Sequence, residues 1–391
     1  MRKNTAIMPD DIETITSELT DSYLRFQNAP TPENKTALTS SMLKVSGLYA
    51  REGLEKDFGR IVVQLIKLDP SEETAASLAE NFFILSQKIR NRIFQQPEIL
   101  DTLFTLMLEL KIKPGDKNYV FLYKSIHRFR RLWKGYIDFC RWWNFENFSS
   151  DDYVIEPGSK MSLAESAMIF YTKRLIVTDF DEDLAKLAAT FIKNLSKYPL
   201  TVYSNYYTAK LLIRLKYDND LIRSILRPFA IQKPLKPWTW HLMSKTFNHD
   251  TEFSDKYSCL LLALCFGKNF PPAVTNDIYL DLALMFNNIN KVTHAKFFFE
   301  IFLKIRREAG FKIPDFVKKI TRQRWYITAS AVRPDTSLDY KENCRNILRR
   351  TPMPEAAVYE ALRQDLETRF PESIQWSKEW YDTMNDDERL F

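Results

Sequence analysis

The sequence predicts an all-α fold assembled from helical hairpins, and three observations carry that reading. Only 8 of 391 residues are glycine and 12 are valine, too few for the turns and β-branched strands of a large sheet protein. The 18 prolines fall mostly between periodic segments rather than inside them. The segment Asn276–Arg307 sets bulky and small residues in an interlocking register, with Tyr279, Leu282, Ala283, Phe286, Ala295 and Phe299 at positions 4, 7, 8, 11, 20 and 24. At 45% hydrophobic the chain can bury a large core, and its length points to two or three packed units.

Four blocks follow along the chain. Residues 1–115 read as an irregular N-terminal block of about five helices. Pro30 and Pro32 separate the first two, with Thr31 placed to cap. Asp69-Pro70-Ser71-Glu72-Glu73 reads as a helix start with Asp69 as N-cap and Pro70 at the first helical position, the carboxylates favoured by the helix dipole. Pro97 opens a further helix, and Lys113-Pro114-Gly115-Asp116 closes the block. Residues 116–160 hold one long helix, Lys117–Trp143, loaded with nine aromatic residues from Tyr119 to Trp143, and then a linker. The stretch Asn147–Lys160, with Pro157-Gly158-Ser159, is the expected domain boundary.

Residues 161–330 are punctuated near Pro199, Pro234/Pro237, Pro271/Pro272 and Pro314, a spacing that suits helical hairpins. Ser162-Leu163-Ala164-Glu165 offers a capping box at the start. The large–small register of Asn276–Arg307 is that of a tetratricopeptide (TPR) helix pair. Counted from Pro237, the same positions read Trp240, Met243, Ser244, Phe247, Lys256 and Leu260, with Ala263 at position 27, a degenerate copy. The triplet Phe297-Phe298-Phe299 requires a helix with neighbours on more than one side. Residues 331–391 form a C-terminal helical cap, ending in an acidic tail, Asn385–Glu388, expected to fray. The predicted fold is therefore a TPR-like helical-hairpin solenoid between an irregular N-terminal block and a helical cap.

The sequence carries no clear signature of catalytic chemistry. Phe266-Gly267-Lys268-Asn269 lacks the upstream glycine and the following Ser/Thr of a phosphate-binding loop. The four histidines, His127, His241, His249 and His294, never pair at i+3 or i+4. Asp179-Phe180-Asp181-Glu182-Asp183 reads as a helix start capped by Asp179 or Asp181 rather than a cation site, because no glycine turn wraps its carboxylates round one point. The cysteines Cys140, Cys259, Cys265 and Cys344 show no C-x-x-C pair and read as reduced structural thiols. No apolar run of 18 residues spans a membrane, and Met1–Asp11 has no apolar h-region, so a cytoplasmic protein without cofactor is expected.

Charge is the stronger asymmetry. Between Lys304 and Arg350 stand 13 Lys/Arg and 5 Asp/Glu, a local net of +8 in a chain of net +6. Arg306, Arg307, Lys318, Lys319, Arg322 and Arg324, with Trp325 among them, are candidate contacts for a nucleic acid or an acidic partner, since cations gain from counterion release and aromatics stack bases. On the predicted long helix, Lys124, Arg128 and Arg131 share one face and form a second candidate patch. Trp142, Trp143, Trp238 and Trp240 are candidate partner anchors, with gap-filling in the core as the competing role.

The runs Gly135–Phe145, Asp151-Asp152-Tyr153 and Ser162–Glu165 together resemble a bacterial TPR-like helical module of predicted conflict (phage-defence) loci, found alongside primase- and helicase-type proteins. Pro237–Leu242, and Phe311–Pro314 leading to Arg324-Trp325-Tyr326, are similar to further landmarks of that module. The resemblance implies a defence scaffold and supplies no active site. Some relatives carry a nucleic-acid-binding β-barrel at the C-terminus, and this sequence shows none up to Phe391. The expected function is a non-enzymatic scaffold holding a protein partner, with nucleic-acid binding through residues 304–350 as the alternative.

Overall fold

Helix starts follow local chemistry for most of the chain. A computed structural model describes residues 9–109, 119–176, 181–197, 203–248, 250–335 and 338–370. Among the described residues every regular element is helical and no strand occurs. Pro32 takes the first position of α2 (Pro32–Glu52), after α1 (Pro9–Asn28), and the Thr31 hydroxyl accepts from Asn34 N at 3.3 Å. Two further helices, α3 (Glu55–Leu68) and α4 (Glu72–Lys88), pack with α2. Ser71, not Asp69, caps α4: its Oγ accepts from Thr74 N at 3.3 Å. Asp69 stands outside the helix and accepts from both the Ser71 and the Thr74 hydroxyl, a tie that one further residue of helix would break. Next come α5 (Arg90–Gln95) and α6 (Ile99–Glu109), the latter against α3. Lys113-Pro114-Gly115-Asp116 lies outside the described residues.

The expected long helix Lys117–Trp143 is two short ones, α7 (Val120–His127) and α8 (Tyr136–Trp143), separated by turns. One straight helix would have spread its aromatics round all sides. The break turns Trp133 inward, where its Nε1 donates to Asp101 Oδ1 at 2.7 Å and its ring meets Phe104 edge-on. Gly135 makes the turn possible, because a Cβ there would fall 2.8 Å from the Trp133 ring. Tyr123, Tyr136, Phe139 and Trp143 then gather in one buried cluster.

The described residues divide into two compact units, within Met1–Arg174 and within Leu175–Ile374. The stretch Asn147–Lys160 is thus internal to the first unit. Phe145, Phe148 and Tyr153 are buried there, and Lys124 Nζ reaches Glu156 Oε1 at 2.5 Å. Ser162 Oγ accepts from Glu165 N at 3.2 Å at the head of α9 (Leu163–Leu175).

The second unit begins with α10 (Asp181–Lys197), α11 (Ser204–Arg214) and α12 (Asn219–Gln232), each packed on the next. Asp179 and Pro199 lie outside the described residues, as do the side chains of Asp181 and Asp183. Two hairpins follow, α13 (Pro237–Ser244) with α14 (Phe253–Gly267), and α15 (Pro272–Asn288) with α16 (Val292–Glu308). Pro237 and Pro272 each sit in the first turn. Gly267 lets α14 end against α15, since a Cβ would lie 2.5 Å from Thr275 Cγ2. Leu282, Ala283, Phe286, Ala295 and Phe299 are all buried, as are Trp240, Met243, Phe247, Leu260 and Ala263 in the preceding hairpin, while Tyr279 and Lys256 are half-buried. Ala283→Trp is therefore expected to overpack the α15–α16 contact and destabilise the protein by about 1–3 kcal/mol; an unchanged thermal midpoint would show that this register does not hold the hairpin together.

Short helices α17 (Asp315–Thr321) and α18 (Arg324–Thr328) pack on each other, with α18 against α16. The last two, α19 (Tyr340–Arg350) and α20 (Ala356–Arg369), do not stack onward as an end cap. Helix α19 returns to α14 and α12, and α20 returns to α10. The Tyr217 hydroxyl donates to Asp365 Oδ2 at 2.6 Å, and the Tyr359 hydroxyl to Asn205 Oδ1 at 2.9 Å. The acidic tail Asn385–Glu388 lies outside the described residues.

Candidate interaction surface

The C-terminal half of the second unit concentrates the exposed charge. Lys304 to Arg324 holds eight Lys/Arg and two Asp/Glu. Arg306 is committed: its guanidinium donates to Lys312 O at 2.7 Å and lies over the Phe302 and Phe311 rings. Lys318 pairs with Asp315 at 2.8 Å. Arg307, Lys319, Arg322 and Arg324 are exposed and have no ion pair among the described residues. Apolar surface lies in the same short segment, with Phe316 47% and Ile327 67% exposed. Trp325 is half-buried, its ring centroid 6.5 Å from Phe299 and its Nε1 donating to Gln323 Oε1 at 2.5 Å.

The basic region Lys304–Arg350 does not act as one patch. On α19, Arg345 and Arg349 both pair with Glu342, and Arg350 pairs with Asp255 of α14. The Arg350 pair ties α19 to α14, while Arg345 and Arg349 share one carboxylate within their own helix, so the unpaired Arg307, Lys319, Arg322 and Arg324 form a separate group.

The patch expected on the long helix is divided. Helix α7 ends at His127, with Arg128 still helical as its C-cap and lining one cavity with Lys124, while Arg131 lies in the turn beyond. Lys124 pairs with Glu156, Arg128 Nη1 donates to Gln87 Oε1 at 3.1 Å, and Arg131 is exposed in the turn. Trp143 and Trp240 are buried; Trp240 Nε1 donates to Pro234 O at 2.6 Å. Trp142 packs edge-on against Phe104, and Trp238 edge-on against Phe270 with Lys236 over its ring, both half-buried. None of the four stands free as an anchor.

Two arrangements had no sequence signal. In the first unit a buried chain of polar groups links Cys140, Tyr123, Tyr136, His127 and Ser166. Tyr123 Oη lies 3.6 Å from Cys140 Sγ and 3.0 Å from Tyr136 Oη; His127 Nδ1 lies 2.5 Å from Tyr136 Oη, and Nε2 3.0 Å from Ser166 Oγ. Burial, with Arg130 nearby, pushes His127 down to about 3, and burial pushes the Cys140 thiol up to about 12. A neutral His127 accepts from Tyr136 and donates to Ser166, which satisfies every member.

In the second unit a groove of about 520 Å³ opens between α14, α15 and α16. Leu264, Tyr279, Phe297, Phe298, Ile301 and Ile305 form apolar walls. Lys268 and Arg333 are its charged residues, and no Asp or Glu lines it. Phe297, the member of the triplet left half-buried, gives its ring to this groove. Outside the groove lining, His241 Nε2 meets Asp281 Oδ2 at 2.7 Å; burial pushes the Asp281 carboxyl up, but the His241 hydrogen bond and the charges of Lys245 and Lys256 outweigh it and hold it below the usual range.

A family described as a domain of unknown function (DUF7017) matches residues 202–344, which run from the start of α11 into α19 and include the hairpins, the groove and the basic segment. No curated protein matches the chain. Among the described residues no helix is long and apolar enough to cross a membrane.

Proposed function

We propose that this chain is a non-enzymatic helical-repeat scaffold that holds a protein partner, with α13–α14 and α15–α16 as TPR-like repeats, serving a bacterial defence or stress complex in the cytoplasm. The observation that carries it is the groove beside those hairpins, whose walls are large apolar side chains, several of them half-buried. Co-purification with the products of neighbouring genes tests it: a stable complex with one of them is expected, and none with any of them would end the reading.

The second reading, nucleic-acid binding, rests on the unpaired Arg307, Lys319, Arg322 and Arg324 beside exposed Phe316. It requires an affinity for single-stranded RNA that falls with salt by a log–log slope of about −0.7 per phosphate contacted. It also requires that Lys319→Glu weaken binding for all sequences alike. Trp325 packs on Phe299, so Trp325→Ala is expected to cost about 1–3 kcal/mol of stability, roughly half the value for a fully buried tryptophan. RNA affinity lost at unchanged stability would instead make Trp325 a stacking platform.

A further inference from the structure

A non-helical segment of the chain forms one border of this groove. From Ala329 to Asp335 the chain is not helical and runs past the first turns of α16. Lys296 Nζ donates to Ala329 O at 2.8 Å, His294 Nδ1 donates to Val332 O at 2.9 Å, and Val332 N donates to Thr293 O at 3.2 Å. All three bonds end on main-chain atoms of the segment, so α16 holds its backbone rather than a particular sequence. Pro334 is buried in the groove wall, while Val332 and Arg333 keep their side chains exposed. Arg333 and Pro334 border the 520 Å³ groove, which is within the size range of ligand pockets.

The walls and charges of that groove specify an occupant. Aliphatic and aromatic side chains from three helices offer burial to apolar groups. Lys268 at the end of α14 and Arg333 beside Pro334 form no ion pair among the described residues, and no carboxylate lines the groove to balance them. A charge-assisted hydrogen bond to either cation would be strengthened by the apolar surroundings.

We propose that this groove receives an extended peptide segment of a protein partner, its apolar side chains seated against Leu264, Phe297 and Ile301 and an Asp or Glu carboxylate met by Lys268 and Arg333. The assignment rests on the scaffold reading and gives its partner a chemistry: apolar residues alternating with at least one acid, bound in extended form beside residues 329–335. A peptide supplies both groups the groove calls for, apolar side chains for its walls and a carboxylate for Lys268 and Arg333.

Selection of random heptapeptides displayed on phage against the immobilised full chain tests it. Enriched sequences are expected to combine two or more large apolar residues with Asp or Glu. A synthetic peptide of the enriched sequence should lose at least about tenfold in affinity on Lys268→Glu, with an unchanged thermal midpoint, because Lys268 is exposed. Ile301→Glu should abolish binding; should that variant fail to fold, the Lys268→Glu result stands alone as the criterion. Enrichment of peptides without acids, affinity indifferent to Lys268→Glu, or no enrichment would each overturn the groove assignment. Peptides lost on Lys319→Glu instead would move the partner to the basic segment and leave the scaffold intact; absence of any protein complex, with salt-dependent RNA binding, would remove the scaffold itself.

Discussion

Trp143→Ala is expected to destabilise the first unit by about 3–5 kcal/mol, the range for truncating a fully buried tryptophan. The ring lies 4.9 Å from Tyr123 and 6.3 Å from Phe148, centroid to centroid, and is fully buried. Its removal leaves a void walled by rigid aromatics that cannot collapse inward. Trp142→Ala should cost clearly less, because its ring is half-buried against Phe104. Trp143→Phe should cost less still: Trp143 Nε1 is buried with no hydrogen-bond partner, so phenylalanine removes a donor that gains nothing where it is. Urea titrations of the three variants by circular dichroism give the order. A loss below about 1 kcal/mol for Trp143→Ala, with a partner released, would make Trp143 a binding anchor after all.

Acid is expected to weaken the first unit from a pH above that at which carboxylates titrate. His127 is held neutral by burial, first, and by Arg130, with its folded pKa lowered from 6.5 to about 3. The unfolded chain therefore binds one more proton at this residue than the folded one between those limits. Stability is complete above pH 6.5 and falls as pH drops toward 3, by up to about 1.4 kcal/mol per pH unit. Asp281, whose folded pKa is depressed, adds its own loss only as pH falls below its unfolded value of 3.8. The window between pH 6.5 and 5 therefore isolates the histidine, where about 2 kcal/mol should be lost. Denaturation of wild type and His127→Gln at both values measures it: the variant starts less stable but should lose about 2 kcal/mol less across the window. Equal slopes would show that His127 is not the group that protonates.

The parts of the fold legible in the sequence were those set by near neighbours. Leu282, Ala283, Ala295 and Phe299 belong to one hairpin, so helical period and a small–large alternation were enough to find them. Thr31, Ser162 and the prolines at 237 and 272 speak through the residues beside them. The break between α7 and α8 was hidden, because Trp133 turns inward to meet Asp101, 32 residues earlier. The positive region was overcounted for a similar reason: Arg350 finds Asp255, 95 residues away, and composition cannot see that pair. In the sequence Lys268 reads only as a failed phosphate-loop lysine, with nothing to link it to Arg333. Their shared groove exists because three helices and a returning segment bring them together.

The return of α19 and α20 to earlier helices sets the order in which the second unit can be made. Contacts within α13–α14 and α15–α16 are local and can form as soon as each hairpin leaves the ribosome. The bonds Tyr217–Asp365 and Asn205–Tyr359 span 148 and 154 residues, so α10 and α11 must wait for α20 before their surfaces are covered. Such long loops are closed late and at an entropic cost that only a fully assembled unit repays. Contacts between distant helices therefore add to those within each hairpin in holding the unit together. A fragment cut at residues 202–344 would divide α19 within its second turn, leave its pairing with Asp255 behind, and uncover the face of α14 that α19 protects.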